Sequence, residues 1–249
     1  MVAKVSVESS RLMPEVSSRY VVEDQQRMAL ARNYFAWQGR LVTRELGRRV
    51  VEVGCGLGNF TEMLLDRDLV IAVDPEPGCT SRLKQRFADQ SNLLVFTCDT
   101  QSAAFSHLAA FQPDCCVCLN VLEHIPDDAG ALRAMASLLK SGGRIVLIVP
   151  AFQALYGLID KKLGHRRRYT RMSLMNLAAV AGLRVRKAHY WNALGFFGWW
   201  ANAHVLRREA QSEGQIGMFD RYMVPVISRV EEWATPPFGQ SLFAVLEKP

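Results

Sequence analysis

A short apolar run, Val50-Val51-Glu52-Val53, passes directly into Gly54-Cys55-Gly56-Leu57-Gly58, and few folds accommodate that join. Val50, Val51 and Val53 are β-branched and suit a strand covered on both faces, the situation of a parallel sheet. Glycines at alternate positions remove side chains from the turn where a ligand would press on the backbone, and a helix start after it would aim free N–H groups at that ligand. The plain alternative is a strand-to-helix turn that needs glycine for its backbone alone. Two acids weigh against it. Glu52 lies inside the apolar run, where an unpartnered carboxylate is costly, so it is expected to meet a cation or a set of donors at the strand's carboxyl end. A second run, Leu69-Val70-Ile71-Ala72-Val73, ends in Asp74, a position from which an acid can take two ribose hydroxyls.

The pattern then repeats. A third strand, about 92–97, leads to Asp99-Thr100, and a fourth, 114–119, leads to Asn120-Val121-Leu122-Glu123-His124-Ile125. Pro126-Asp127-Asp128 opens a helix whose stripe is Ala131, Leu132, Met135, Leu138 and Leu139, and Gly142-Gly143 ends it before a fifth strand, 144–149. Met28, Leu30, Ala31, Tyr34, Phe35, Trp37 and Leu41 predict one amphipathic helix over 22–44, and Thr61 to Leu65 predicts the first crossover helix. Further helices are expected at 81–88 and after Thr170, a sixth strand at about 183–190 and a seventh at 241–246. Strands alternating with helices imply a parallel sheet with right-handed crossovers.

These residues, over about positions 30 to 190, resemble the class I S-adenosylmethionine-dependent methyltransferases. The resemblance implies an α/β fold: a doubly wound, Rossmann-like sheet of seven mostly parallel strands, with a helical insertion before the last strand, which runs antiparallel between the fifth and sixth. It implies one methyltransferase domain over 1–249, made of an N-terminal arm and helix (1–45), a cofactor-binding core (46–190), a helical lid insertion (191–240) and the last strand (241–249). The cofactor is then S-adenosylmethionine. By the same resemblance Glu52 helps hold the methionine ammonium, and Gly54, Cys55, Gly56 and Gly58 line the methionine and ribose. Asp74, with Pro75 beside it, takes the ribose, Asp99 and Thr100 reach the adenine, and Asn120 abuts the methionine end. A nicotinamide-dependent oxidoreductase would more usually show GxGxxG and would leave the 120–124 segment unexplained. A non-catalytic module that only binds S-adenosylmethionine would keep every one of these cofactor residues.

The acceptor side is read from position. His124 follows the fourth strand and is a candidate base, with helix capping or pocket lining as its structural alternative. His165 belongs to Gly164-His165-Arg166-Arg167-Arg168-Tyr169-Thr170, which follows the fifth strand; it is a second candidate base, against the ordering of a loop. Arg168 or Arg166 would pair with an anionic or hydroxyl-rich group, and Tyr156, Tyr169, Tyr190 and Trp191 would line the acceptor pocket. Residues 1–20 are expected to form an arm that closes over the cofactor.

Composition trims the function classes. With 249 residues, 49% of them hydrophobic, the chain can bury one sizeable α/β core. A net charge of +6 is too modest for a dedicated nucleic-acid binder, and the acceptor is expected to be a small molecule. The six cysteines make no CxxC pair suited to zinc or to a redox centre, since Cys115, Cys116 and Cys118 belong to an apolar strand, so they predict reduced core thiols and no metal. The absence of a secretory pattern in residues 1–18 predicts a cytoplasmic protein. The run Trp191 to Trp200 is too short to span a bilayer, which takes about 20 residues, and reads as a lid or an interfacial helix suited to a peripheral membrane or lipid-linked substrate.

Overall fold

The computed structural model describes residue 23, residues 25–210 and residues 212–249, so the expected arm over 1–20 lies outside the described residues. Seven strands, β1 (Arg49–Val53), β2 (Leu69–Asp74), β3 (Leu93–Thr97), β4 (Cys115–Leu119), β5 (Arg144–Pro150), β6 (Arg184–Trp191) and β7 (Ser241–Glu247), make one sheet in the order β3-β2-β1-β4-β5-β7-β6. The pairings among β1 to β5 are parallel, and β7 runs antiparallel to both of its neighbours. This is the doubly wound sheet that the resemblance implied.

Alternation along each strand builds two cores. Val51, Val53, Ile71, Cys116, Cys118, Ile145 and Leu147 face one side, with residues of the helices Asp128–Leu138 and Arg171–Val180. Val50, Val70, Cys115, Val117, Val146 and Ile148 face the other, with Trp37 and Val42 of α1 (Arg32–Thr43) and with Val224 and Ile227 near the insertion's end. The six cysteines are buried and free, three of them as small residues of β4.

Strand order reverses between β1 and β4, so the loops that leave these strands flank the crevice where open α/β sheets take ligands. The two loops touch. A Cβ added to Gly54 would run into the Val121 side chain, and Asn120 beside it takes a left-handed φ of 53°.

Three elements differ from the sequence reading. The expected helix over 22–44 is interrupted by a turn at Ala29–Leu30, and α1 starts at Arg32 because Asp220 caps it from the insertion, accepting from Asn33 N (3.2 Å) and Tyr34 N (2.8 Å). The expected crossover helix is one 3-10 turn, Thr61–Leu64, because the short link between β1 and β2 uses its first residues on the glycine turn. Trp191 closes β6 and does not open the insertion; it is 2% exposed, stacked on Tyr34 at 5.2 Å and edge-on to Trp37 at 4.6 Å. The insertion itself is helical over Ala193–Trp200 and Glu213–Trp233, with π turns at Ala201–Val205 and Phe219–Met223. No helix among the described residues is long and apolar enough to cross a membrane.

Candidate functional site

The glycine turn owes its shape to three positive φ angles, 78° at Gly54, 50° at Gly56 and 82° at Gly58. Three strand ends bring acids around it. Glu52 is 4% exposed, and the Thr61 hydroxyl donates to its carboxylate at 2.6 Å. Burial pushes its pKa up to about 8; the Thr61 bond works against that rise and nearby Asp74 adds to it. Asp74 accepts from Gly56 N and from Glu76 N, each at 2.9 Å, and burial raises its pKa as well. Asp99, past the end of β3, accepts from Gln101 N at 2.8 Å, beside buried Thr100.

Gln25 completes this pocket, and the sequence reading had not singled it out. Its side-chain oxygen accepts from Leu57 N at 2.9 Å, its backbone carbonyl accepts from the Asn59 side chain at 3.0 Å, and a Cβ on Gly56 would collide with its amide. The cradle over Gly56 is therefore open to a polar group and closed to any larger residue. A buried acid on β1, a ribose-type acid on β2, a further acid beyond β3 and a side-chain-free turn suit the charge and shape of S-adenosylmethionine. Cys55 is buried beneath the turn, and Pro75 leads from Asp74 into the next helix, Pro77–Arg86.

A second cluster lies beyond β4 and β5. Asp160 is fully buried, and one of its oxygens faces both His165 Nδ1 (2.8 Å) and Arg168 Nε (2.8 Å) while the other accepts from Gly157 N (2.9 Å). Burial alone would raise the Asp160 pKa, but the hydrogen bond to His165 and the adjacent Arg168 charge outweigh it and hold the carboxyl down at about 2. Arg168 also donates to the Ala151 carbonyl at 3.1 Å and lies 5.0 Å from the centre of the Trp199 ring. The sequence reading gave this guanidinium to an acceptor's anion; here its charge is matched within the chain.

Glu123 is fully buried beside His165, with Oε1 3.8 Å from His165 Nε2. His124 packs edge-on to His165, ring centres 4.8 Å apart, and burial followed by the His165 charge lowers its pKa to about 4. The basic run braces this loop: Arg166 N donates to the Glu123 carbonyl (2.9 Å), Arg166 Nε to the His124 carbonyl (3.2 Å) and Arg167 to the Pro126 carbonyl (2.8 Å).

Of the expected acceptor residues, Tyr156 donates to the His165 carbonyl at 2.7 Å. Tyr169 is in the core, donating to Asp128 at 2.9 Å, and Trp191 is in the core on the opposite face of the sheet. Tyr190 stacks on Phe152 at 4.6 Å, and Phe152 is edge-on to Phe196, which packs 5.2 Å from Phe238. Phe152 stands at a φ of 57°, just past the end of β5, so this aromatic ladder lies along the same edge of the sheet as the glycine turn.

Comparison with known proteins agrees with this geometry. A family model described as a methyltransferase domain matches residues 23–188. A ubiquinone biosynthesis O-methyltransferase of Ralstonia nicotianae is 38% identical over 104 residues, which are 40% of this chain and 42% of the relative. The chain thus matches about two fifths of that relative's length. Among solved structures, the methyltransferase in a complex with the Haloferax volcanii Trm112 methyltransferase activator is 17% identical, covering 93% of this chain and 95% of that one with a TM-score of 0.62. Geranyl diphosphate C-methyltransferase of Streptomyces coelicolor A3(2), solved with Mg2+, geranyl diphosphate and S-adenosyl-L-homocysteine, is 14% identical, covering 85% and 77% with a TM-score of 0.59. The family match spans most of the sheet, the glycine turn and all three acids, and on it the chain belongs to the class I S-adenosylmethionine-dependent methyltransferases.

Proposed function

We propose that residues 1–249 act as one methyltransferase domain that methylates an oxygen of a partly apolar small molecule, with a lipid-linked phenol or related hydroxylated metabolite as the acceptor class. The observation that carries the methyl-donor half is the set of acids around the Gly54 to Gly58 turn. S-adenosylmethionine supplies an electrophilic methyl group on a sulfonium. The chain's part is to hold, orient and keep dry: Glu52 and Asn120 take the methionine end, Asp74 the ribose, and Asp99 with Thr100 the adenine. Orientation in a dry pocket can supply up to about 7–11 kcal/mol of such a barrier.

The acceptor half rests on the aromatic ladder of Phe152, Tyr190, Phe196 and Phe238, and on Phe197, which the insertion packs against Phe196 and Phe238. Phe197 is 56% exposed, and elsewhere the insertion leaves Val230 59% and Trp233 93% exposed. That surface supports a lipid-linked acceptor met at a membrane face. His124 and His165 lie on this side, and the O-methyltransferase name of the curated relatives supports oxygen as the atom methylated.

The test is transfer of a labelled methyl from S-adenosylmethionine to a dihydroxylated phenol with and without a prenyl tail. Label in the tailed phenol above the tail-less one is expected. Equal transfer to both would remove the lipid-linked reading, and transfer to neither, with the donor still bound, would leave a binding module without catalysis.

Glu52 gives a separate prediction. A buried acid whose folded pKa is raised stabilises the fold only while protonated, so its contribution is present below about pH 4.5 and fades as pH rises through about 8. Glu52→Gln is expected to flatten that decline in urea titrations between those limits. If the carboxylate meets the donor's ammonium, binding at pH 7 should release up to about one proton per chain in wild type and none in the variant, read by calorimetry in buffers of different ionisation enthalpy. Equal proton release in the two proteins would separate Glu52 from the ammonium.

A further inference from the structure

We propose that Glu123, His124 and His165 bind one divalent transition-metal ion, which in turn holds a hydroxyl oxygen of the acceptor. The second clause rests on the methyltransferase reading; the first stands without it. Composition had pointed to no metal, because the cysteines read as core residues.

The geometry carries the proposal in three steps. Glu123 is fully buried, and among the described residues neither of its carboxylate oxygens has a hydrogen-bond partner. An orphaned buried carboxylate is expensive unless something compensates it. Oε1 and His165 Nε2 face each other across 3.8 Å, too far for a hydrogen bond and slightly more than the separation of about 3.3 Å between two ligands on one tetrahedral ion with bonds near 2 Å. One ligand atom each from Glu123, His124 and His165 all lie within 4.8 Å of one another, so a small inward movement of the side chains would close a three-ligand site.

The outer contacts are those of metal-binding histidines, whose second ring nitrogen is held by a carboxylate or a carbonyl. His165 Nδ1 is 2.8 Å from Asp160, which leaves Nε2 for the ion. Arg168 already matches one of the two buried carboxylates, Asp160, and leaves Glu123 for the ion. Two imidazoles and one carboxylate favour Zn2+, Co2+ or Mn2+ over Mg2+ or Ca2+, which take oxygen ligands. Three protein ligands leave a coordination position open, as catalytic sites do, and Glu123 follows β4 at the edge of the sheet where the donor pocket lies. A hydroxyl bound there would be polarised and more acidic.

The experiment strips the full-length protein with EDTA and titrates it with Co2+, following binding by calorimetry and by the visible absorption of the ion, with S-adenosylmethionine affinity measured on the same sample. One Co2+ per chain is expected, displaced by Zn2+, with at least a tenfold loss of affinity in His124→Ala and in the near-isosteric Glu123→Gln while circular dichroism stays unchanged. Folded wild type that takes up no Co2+ or Zn2+ at millimolar concentration overturns the site, as does binding that both variants retain at full strength. Donor binding without metal binding would remove this inference alone, whereas metal binding without donor binding would remove the methyltransferase reading alone.

Discussion

Asp160→Asn is expected to lower the free energy of unfolding by about 3–5 kcal/mol, because it leaves the buried Arg168 guanidinium without its counter-charge. The carboxylate takes His165, Arg168 and the Gly157 amide on two oxygens, and no nearby acid on the same loop can replace it. Equilibrium urea unfolding at pH 7 measures the loss. A wild-type titration adds a check of sign: an acid held at about 2 stabilises above its ordinary pKa and surrenders that stability as pH falls through about 2, so the gap between wild type and variant should narrow in acid. Replacing the pair together, as Asp160→Leu with Arg168→Met, should recover part of the loss, since buried ion pairs often exchange for apolar residues at little cost. A single-variant loss below about 1 kcal/mol would show that the cluster is far more hydrated than its burial implies.

Asp74→Ala carries the second large effect, at least a tenfold weakening of both S-adenosylmethionine and S-adenosylhomocysteine. Its carboxylate does two jobs. It anchors the turn through Gly56 N and the next helix start through Glu76 N, and it offers the acid that a ribose would meet. Asp74→Asn separates them, because the amide oxygen can still accept from a backbone N–H while the charge is gone. If the loss in Asn matches that in Ala, charge recognition dominates; if Asn binds like wild type, the acid acts by shaping the turn. Unchanged calorimetric affinity for both nucleosides in Ala would remove Asp74 from the donor site.

Much of this fold is written locally. The strands β1, β2, β4 and β5 are β-branched or small apolar runs bounded by glycine, proline or acids, and such runs declare themselves over five or six residues. The glycine turn is equally local, since Gly54, Gly56 and Gly58 each need a backbone that other residues reach only under strain. Asp220 could not be read that way. It caps α1 across 186 residues of sequence, and nothing in its neighbourhood marks it as an N-cap. Asp160 was hidden by its company: between Ile159 and Lys161-Lys162 it reads as one more charge on a solvated helix. Trp191 was placed with the insertion because the sixth strand was read as ending at 190, whereas β6 runs on to Trp191, which pairs with Ser241 of β7. Glu123 and His124 were legible as a motif, but their juxtaposition with His165 depends on the brace that Arg166 and Arg167 make to the loop.

The position of β7 has a consequence for how the chain acquires its structure. β1 to β5 can pair as soon as they are made, yet β5 and β6 never touch; β7, last in sequence, is wedged antiparallel between them. Until β7 arrives, the emerging protein carries β5 as an open edge, rich in Ile, Val and Leu, and β6 with its aromatic insertion has no sheet to join. An unpaired edge of that composition is a template for wrong partners. Folding during synthesis should therefore stall at a five-stranded intermediate, and premature termination after Pro150 but before Ser241 should yield a chain that aggregates through β5 while its glycine turn is already formed.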